Sequence, residues 1–263
     1  MEVFRYFFRL SRPLEFDIFD LVVNCVWIIF LGIMLGMIFL LIKRTIERER
    51  MIKKLVMNNG FNFENVEDFL TFFGCKTESG KIWTSKPKNI TLKPYSGEIN
   101  LENTNISLFS RGDRRIVEYI FSVPFKNNKI FFFDYEYSVS VGTRTTSVYC
   151  VNVALFKSNN DIPSFYLRPE SFFDQIPNLF GYNDIDFPHR PIFSKKYYLK
   201  SDDETKVRYF FNDTLLAFLE STPNLYIESK NNLIAIYHNI FSREDEYLNF
   251  IENVKNILNF LRA

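Results

Sequence analysis

The first strong hydrophobic pattern in the chain is an uncharged run of 22 residues at positions 21–42. A helix needs about 20 apolar residues to cross the hydrocarbon core of a bilayer. Lys43 and Arg44 follow the run directly, which favours a membrane span over a buried helix of a globular domain. A cleaved signal peptide is disfavoured, because the run is long for one and no small-residue cleavage site follows it. We therefore predict an N-terminal tail at 1–20 and a transmembrane helix at 21–42.

Basic residues are distributed unequally around this run. The preceding tail contains three arginines, whereas the following segment contains six basic residues, namely Lys43, Arg44, Arg48, Arg50, Lys53 and Lys54. Basic segments next to a membrane span stay on the cytoplasmic side. The pattern predicts a single-pass protein of the inner (plasma) membrane, with its N-terminus outside and its C-terminal domain in the cytoplasm. Residues 43–60 are predicted to form a basic juxtamembrane helix that ends at Gly60.

Gly32 and Gly36 form a small-xxx-small motif inside the predicted span. This spacing places both glycines on one helix face, where the backbone of a second helix can approach closely. The lipid bilayer is the first predicted partner of the chain. The glycine motif adds the hypothesis of a homodimer through the transmembrane helix.

Three consecutive runs further along the chain alternate between apolar and polar residues. In 115–125, 131–141 and 147–156, the apolar residues fall mainly on odd-numbered positions. A period of two predicts half-buried antiparallel strands, so these runs predict a β meander. Asn127 and Asn128 are expected to supply positive φ angles for the first hairpin turn, and 142–145 is expected to form the second.

The remaining segments predict helices mixed with short strands. The predicted fold class is therefore α+β, with an N-terminal transmembrane helix, a soluble domain at 61–263 that contains the meander, and a C-terminal β-α-β-β-α portion. Possible sub-lobes are 61–160 and 161–263. The individual predictions are a helix at 66–73, a strand at 165–168, a helix at 171–180, a strand at 193–200, a helix opened by a capping box at Ser201–Glu204 and continuing through Phe218, a hairpin of 225–229 with 233–238, and a final helix capped by Ser242.

Composition excludes several classes of function. The 32 basic and 31 acidic residues leave no overall positive charge of the kind that binds nucleic acid, so no nucleic-acid partner is expected. The three cysteines, Cys25, Cys75 and Cys150, do not form a disulfide framework. The two histidines, His189 and His238, have no Cys, His or carboxylate at metal-ligand spacing. No nucleotide-binding loop or nucleophile elbow is present, and we predict no catalytic residue and no cofactor.

Five carboxylates are the remaining candidates for chemistry, as ligands of a hard cation, which prefers several oxygen ligands. The alternative is that they lie on a solvated sheet face and in turns. Two lie on the same side of one predicted strand, and three follow within a short stretch of chain. They are Asp134, Glu136, Glu170, Asp184 and Asp186.

Several local strings resemble a family of uncharacterised bacterial single-span membrane proteins. The resemblance implies a bacterial source and the same layout of one hydrophobic segment followed by a soluble domain. It implies no activity, since no function is assigned to that family. The strings are FDYEY at 133–137, PSFYLRPE at 163–170, DIDF at 184–187, and FSKKYYL at 193–199 with Asp203 and Glu204 behind it.

These patterns favour a non-enzymatic module, tethered to the membrane, that binds an unknown protein partner or a small ligand near the inner face of the membrane. One alternative is a carboxylate- or metal-dependent hydrolase that uses the five carboxylates. Another is a domain that binds lipid or another apolar ligand, which would require a large apolar cavity between the meander and the last two helices.

Overall fold

The structure is a computed structural model that describes residues 18–75, 96–98, 100–141, 145–170, 184–222, 224–238 and 243–261. Two compact units divide the chain, Met1–Arg50 and Met51–Ala263. The helices are α1 Ile18–Asn58, α2 Val66–Phe72, α3 Pro191–Lys196, α4 Glu204–Phe210, α5 Asp213–Ser221 and α6 Glu244–Phe260. The strands are β1 Asn62–Phe63, β2 Ser96–Glu98, β3 Arg114–Phe125, β4 Asn128–Val141, β5 Thr145–Lys157, β6 Phe165–Pro169, β7 Tyr197–Ser201, β8 Tyr226–Lys230 and β9 Leu233–His238.

The predicted membrane span lies within α1. Every large apolar side chain from Val26 to Ile42 is exposed, with Ile28 at 69% and Phe39 at 66%. The uncharged run of 22 residues extends for about 33 Å at about 1.5 Å per residue. In length and composition this helix is able to cross a membrane. It ends at Asn58, and Gly60 has the left-handed φ of 65° that suits a residue after a helix end.

All strand pairs of the second unit are antiparallel and belong to one sheet. Its order is β1-β3-β4-β5-β9-β8-β6-β7, and β2 also pairs with β3. The predicted meander is β3, β4 and β5, and the predicted C-terminal hairpin is β8 and β9. The α+β class predicted from the sequence is confirmed.

Helices and turns cover both faces of this sheet, which explains why the alternation of the meander weakens along β4. Phe131 and Phe133 point to the face covered by α2 and by two short 3-10 helices, Glu102–Thr104 and Ser107–Ser110. Phe132 points to the opposite face, where it packs against Phe250 of α6. We call these the turn-covered face and the helix-covered face. The central strands are therefore apolar on both sides.

Several details of the prediction are wrong. The positive φ of the first hairpin lies at Lys126, with φ 51°, and not at Asn127 or Asn128. Residues 193–196 of the predicted strand at 193–200 belong to the helix α3 instead. Proline favours the first position of a helix, and Pro191 occupies that position in α3. Ser201 ends β7, and Asp203 caps α4 instead.

The helix predicted through Phe218 is in fact two helices, α4 and α5. Asn212 interrupts it by accepting a hydrogen bond from the backbone N–H of Leu215, which starts a new helix. The predicted helix at 171–180, the second hairpin turn at 142–144 and the capping residue Ser242 lie outside the described residues. The final helix α6 is preceded by Arg243, whose backbone N–H donates to the Glu246 carboxylate.

Candidate binding cleft

An open cleft of about 950 Å³ lies on the helix-covered side of the second unit. Its walls come from the loop at 160–164 after β5, from the β7–α4 junction at 202–210, and from the end of α6 at Phe260 and Leu261. Ligand sites are concave and typically measure about 300–1,000 Å³. This cleft therefore has the size of a ligand site.

Hydrogen bonds between side chains and backbone groups hold the loop wall in place. The N–H of Ile162 donates to Oδ1 of Asn232 at 3.2 Å, which ties the loop to the turn between β8 and β9. The Ser201 hydroxyl donates to the carbonyl of Ser164 at 2.7 Å and accepts from the N–H of Asp203 at 3.1 Å. One serine therefore joins two walls of the cleft.

Aromatic side chains supply the apolar part of the lining. Phe210 packs on Phe165 with ring centroids 6.3 Å apart, and Phe260 packs on Phe218 at 5.5 Å. Tyr209, next to Phe210, is 85% exposed. An exposed aromatic ring beside partly buried rings offers apolar contact to a ligand, with a small loss of side-chain conformational entropy.

Charged side chains surround the apolar lining. Asp203 accepts from the N–H of Lys206 at 3.0 Å, and the Lys206 ammonium lies 3.4 Å from its second oxygen. The N–H of Lys206 lowers the pKa of Asp203, which keeps this carboxyl ionised. Asp161 and Asp202 add two further carboxylates, and Lys206 is the cation among the lining residues. The rim carries charges of both signs, because Asp203 pairs with Lys206 and the Asp202 carboxylate lies 3.9 Å from the ammonium of Lys230, and it suits a ligand with an apolar body and a polar end.

The predicted carboxylates Asp134 and Glu136 lie on β4, away from this cleft. Asp134 is 2% exposed and accepts a hydrogen bond from the amide of Asn152 at 2.5 Å. The Glu136 carboxylate lies 3.7 Å from Sγ of Cys150, on the neighbouring strand. Both therefore contact side chains of β5 on the helix-covered face.

The other three carboxylates lie at the far edge of the sheet. Asp184 accepts from the N–H of Leu199 at 2.9 Å, and Ile185 donates to the carbonyl of Leu199 at 2.8 Å. These bonds cover the open edge of β7, a common protection against pairing with another chain. Asp186 is exposed, and its carbonyl accepts from Arg208. The N–H of Glu170 donates to the carbonyl of Lys196.

The structure does not bring the five carboxylates together. Strands β4 and β7 are five strand spacings apart in the sheet order, roughly 24 Å along the sheet. Within the described part of the chain, no group of three or more His, Cys, Asp or Glu side chains is arranged to hold a metal ion. His189 is exposed and lies 3.1 Å from Asp213, and His238 packs on the ring of Phe250 at 4.7 Å.

The residues of the cleft were not among the candidates that the sequence offered. Tyr209 lies beside the apolar stripe of its helix, so its pattern resembles any solvent-facing position. The loop at 160–164 has no motif of its own.

Comparison with known proteins gives one structural likeness. No protein-family model matches the chain, and no curated protein matches it. Among solved structures, the chain is similar to the crystal structure of the mycobacterial trehalose monomycolate transport factor A, TtfA. The two share 11% identical residues over 82% of this chain and 94% of that chain, with a TM-score of 0.49.

Proposed function

We propose that this chain is a membrane-anchored binding module. Residues 21–42 of α1 cross the inner membrane with the N-terminus outside, and the unit Met51–Ala263 binds a small amphipathic ligand on the cytoplasmic side. The observation that carries the binding function is the cleft, with its volume of about 950 Å³, its aromatic lining and its charged rim. Sites of this size with a few placed polar groups are the usual location of small-molecule binding.

The exposure of α1 supports the membrane anchor. A contiguous apolar surface of this size is rare on soluble proteins and marks a surface that another phase or another protein covers. The six basic residues after the run, against three before it, support the cytoplasmic side for the C-terminal unit. A transmembrane protein resists extraction from membranes by alkaline carbonate, and full release by that treatment would contradict the anchor.

A cleft-filling variant tests the ligand site. We expect full-length protein isolated from membranes to carry a small molecule that native mass spectrometry detects. Thr205→Trp places a large ring in the cleft wall and should abolish this added mass. Asn256→Trp, on the exposed face of α6, is the matched control and should retain it. Equal retention of the molecule by both variants would count against the cleft.

A protein partner is the second candidate for the same unit. Tyr209 supports it, because a tyrosine that is 85% exposed is the type of residue that dominates protein interfaces. Tyr209→Ala would then abolish binding of the partner, whereas Asn256→Ala, on the exposed face of α6, should retain it. The hydrolase alternative has less support, because the five carboxylates fall into two separate groups.

The homodimer through α1 is a further part of the proposal. No described atom outside the local helix backbone lies within 4 Å of a Cβ placed on Gly32 or Gly36, so this face is open to a second helix. Gly36→Leu should reduce energy transfer between labelled copies in bilayers. Met34→Leu, on another face of the helix, should leave it unchanged. An equal signal for both variants would contradict dimerisation through the glycines.

A further inference from the structure

Arg111 lies on the turn-covered face of the sheet, on the side opposite the cleft. It follows the 3-10 helix Ser107–Ser110 and is partly buried. One guanidinium nitrogen donates to the hydroxyl of Tyr166 at 3.1 Å. The phenols of Tyr137 and Tyr237 also lie close enough to interact with it. The guanidinium is therefore surrounded by tyrosine side chains.

Arg111 has no carboxylate partner among the described residues. Asp113, the nearest acid along the chain, accepts from the N–H of Ser140, and Glu102 pairs with Arg115. Glu228, the carboxylate of β8 on this face, accepts from the N–H of Ser107 at 2.5 Å and from its hydroxyl at 2.8 Å. A partly buried cation is normally paired, because removal from water without a counter-charge is costly. One donor of this guanidinium bonds the hydroxyl of Tyr166 and another is directed to that of Tyr137, and its remaining donors are available to another group.

Two buried hydroxyl groups add to this arrangement. The side-chain oxygens of Tyr135 and Tyr237 lack a hydrogen bond of ordinary length within the described residues, although the Tyr237 hydroxyl lies near that of Tyr166, and both side chains are almost completely buried. Burial raises the pKa of both phenols, so that each stays protonated and available as a donor. Both also interact electrostatically with Arg111. Buried polar groups normally have a partner, so unpaired donors beside a cation indicate an absent acceptor.

The turn around Arg111 is held rigidly. The N–H of Asp113 donates to the carbonyl of Ser138 at 2.8 Å, and its carboxylate accepts from the N–H of Ser140 at 3.1 Å. Gly112 has φ 74°, and a Cβ at this position would overlap the carbonyl oxygen of Ser138. The Arg-Gly-Asp sequence is thus a structural turn that fixes Arg111 against β4.

We propose that Arg111, together with the hydroxyls of Tyr166 and Tyr237, binds a phosphate group. A guanidinium and neutral hydroxyls supply donors from several directions, which matches the several acceptor oxygens of a phosphate. The phosphate belongs either to a small soluble molecule or to a lipid headgroup. This site goes beyond the proposed function, since it lies on the opposite face from the cleft and its failure leaves the cleft untouched.

The test is a calorimetric titration of the full-length protein in detergent micelles with inorganic phosphate, at fixed ionic strength. Arg111→Gln should weaken binding by about tenfold or more. Tyr237→Phe removes a single hydroxyl and keeps the buried ring, so the fold is retained, and binding should weaken several-fold. Arg243→Gln removes an arginine that is 78% exposed on its side chain, and should leave the affinity unchanged.

Short-chain phosphatidic acid, below its micelle concentration, separates the two sources of the phosphate. Tighter binding of this lipid than of inorganic phosphate, lost in Arg111→Gln, assigns the site to a headgroup. Equal affinities assign it to a soluble phosphate. The proposal is overturned if neither probe binds saturably, or if Tyr237→Phe and Arg111→Gln both bind as tightly as Arg243→Gln.

Discussion

Asn212 shows how much one side chain contributes to the cleft without a visible signal in the sequence. Its Oδ1 caps α5, and its Nδ2 donates to the carbonyl of Phe260 at 2.8 Å, at the end of α6. The sequence predicted one continuous helix here, because Phe211 and Leu215 keep the helical spacing across the break. The amide contact with α6 depends on residues 48 positions away and was not predictable from local pattern.

Replacement of Asn212 tests this double role. Asn212→Ala removes the cap and the bond to α6, and should lower the free energy of unfolding by about 1–2 kcal/mol. Asn65→Ala removes a cap and a bond to Asp68 within the same exposed first turn of α2, and should cost about 1 kcal/mol or less. Urea titration followed by circular dichroism measures both. A smaller loss for Asn212→Ala than for Asn65→Ala would contradict the second contact.

Asp184 can be tested for two roles, namely covering the open edge of β7 and binding a metal ion. Burial raises the pKa of its carboxyl above the ordinary value of 3.8, although the N–H of Leu199 acts in the opposite direction. The folded state therefore binds this proton more tightly, and the free energy of unfolding falls as pH rises from below 3.8 through the raised value.

Asp184→Asn keeps the oxygen that accepts from Leu199 and removes the charge. We expect the variant to be at least as stable as the wild type at neutral pH, and to lose this part of the pH dependence in thermal unfolding. If Asp184 binds a metal ion, the variant instead loses divalent-cation binding and stability together.

Helices and strands with a sustained period were the best predicted elements. The stripe of α6 is buried as the helical spacing requires, and the meander pairs in the expected antiparallel order. Short elements such as α3 were missed, because six residues do not establish a period and a proline decided the conformation. The carboxylates on β4 and beside β7 were grouped as one candidate site because they follow one another along the chain. The strand order places them at separate positions in the sheet.

The buried stripe of α6 gives a prediction at the scale of the element. Leu258 is fully buried, and Leu258→Ala should lower the free energy of unfolding by about 2–5 kcal/mol. Asn256→Ala, on the exposed face of the same helix, should change it by about 0.5 kcal/mol or less. Urea titration compares the two variants, and similar losses would show that α6 does not pack as described.

At the scale of the whole molecule, the folded unit begins inside α1. Ile52, Leu55 and Val56 are buried in its core, at 0%, 0% and 2% exposure. The sequence placed the start of the soluble domain at residue 61, because the charges at 43–54 resemble a solvated helix. Buried and charged positions alternate over about two helical turns at the end of α1. This stretch is too short for the sequence pattern to identify a packed helix face.

Truncation tests where the folded unit starts. A chain of residues 51–263 should fold and remain soluble, whereas a chain of residues 61–263 loses three buried aliphatic side chains, each contributing about 1.5–3 kcal/mol. That loss is comparable to the marginal stability of a typical domain. We expect the shorter chain to aggregate or to melt at a much lower temperature by circular dichroism. Equal melting temperatures would show that the end of α1 is dispensable.

The most direct measurement for the membrane-anchored module is the side of the membrane on which the second unit lies. Tyr209→Cys places a thiol at a position that is 85% exposed, in a background where Cys25→Ser and Cys150→Ser remove the exposed and the half-buried native thiols, while Cys75 is buried. Bacterial spheroplasts that express this variant are treated with a membrane-impermeant maleimide before and after lysis. We expect labelling only after lysis. Labelling in intact spheroplasts would contradict the cytoplasmic placement of the binding unit.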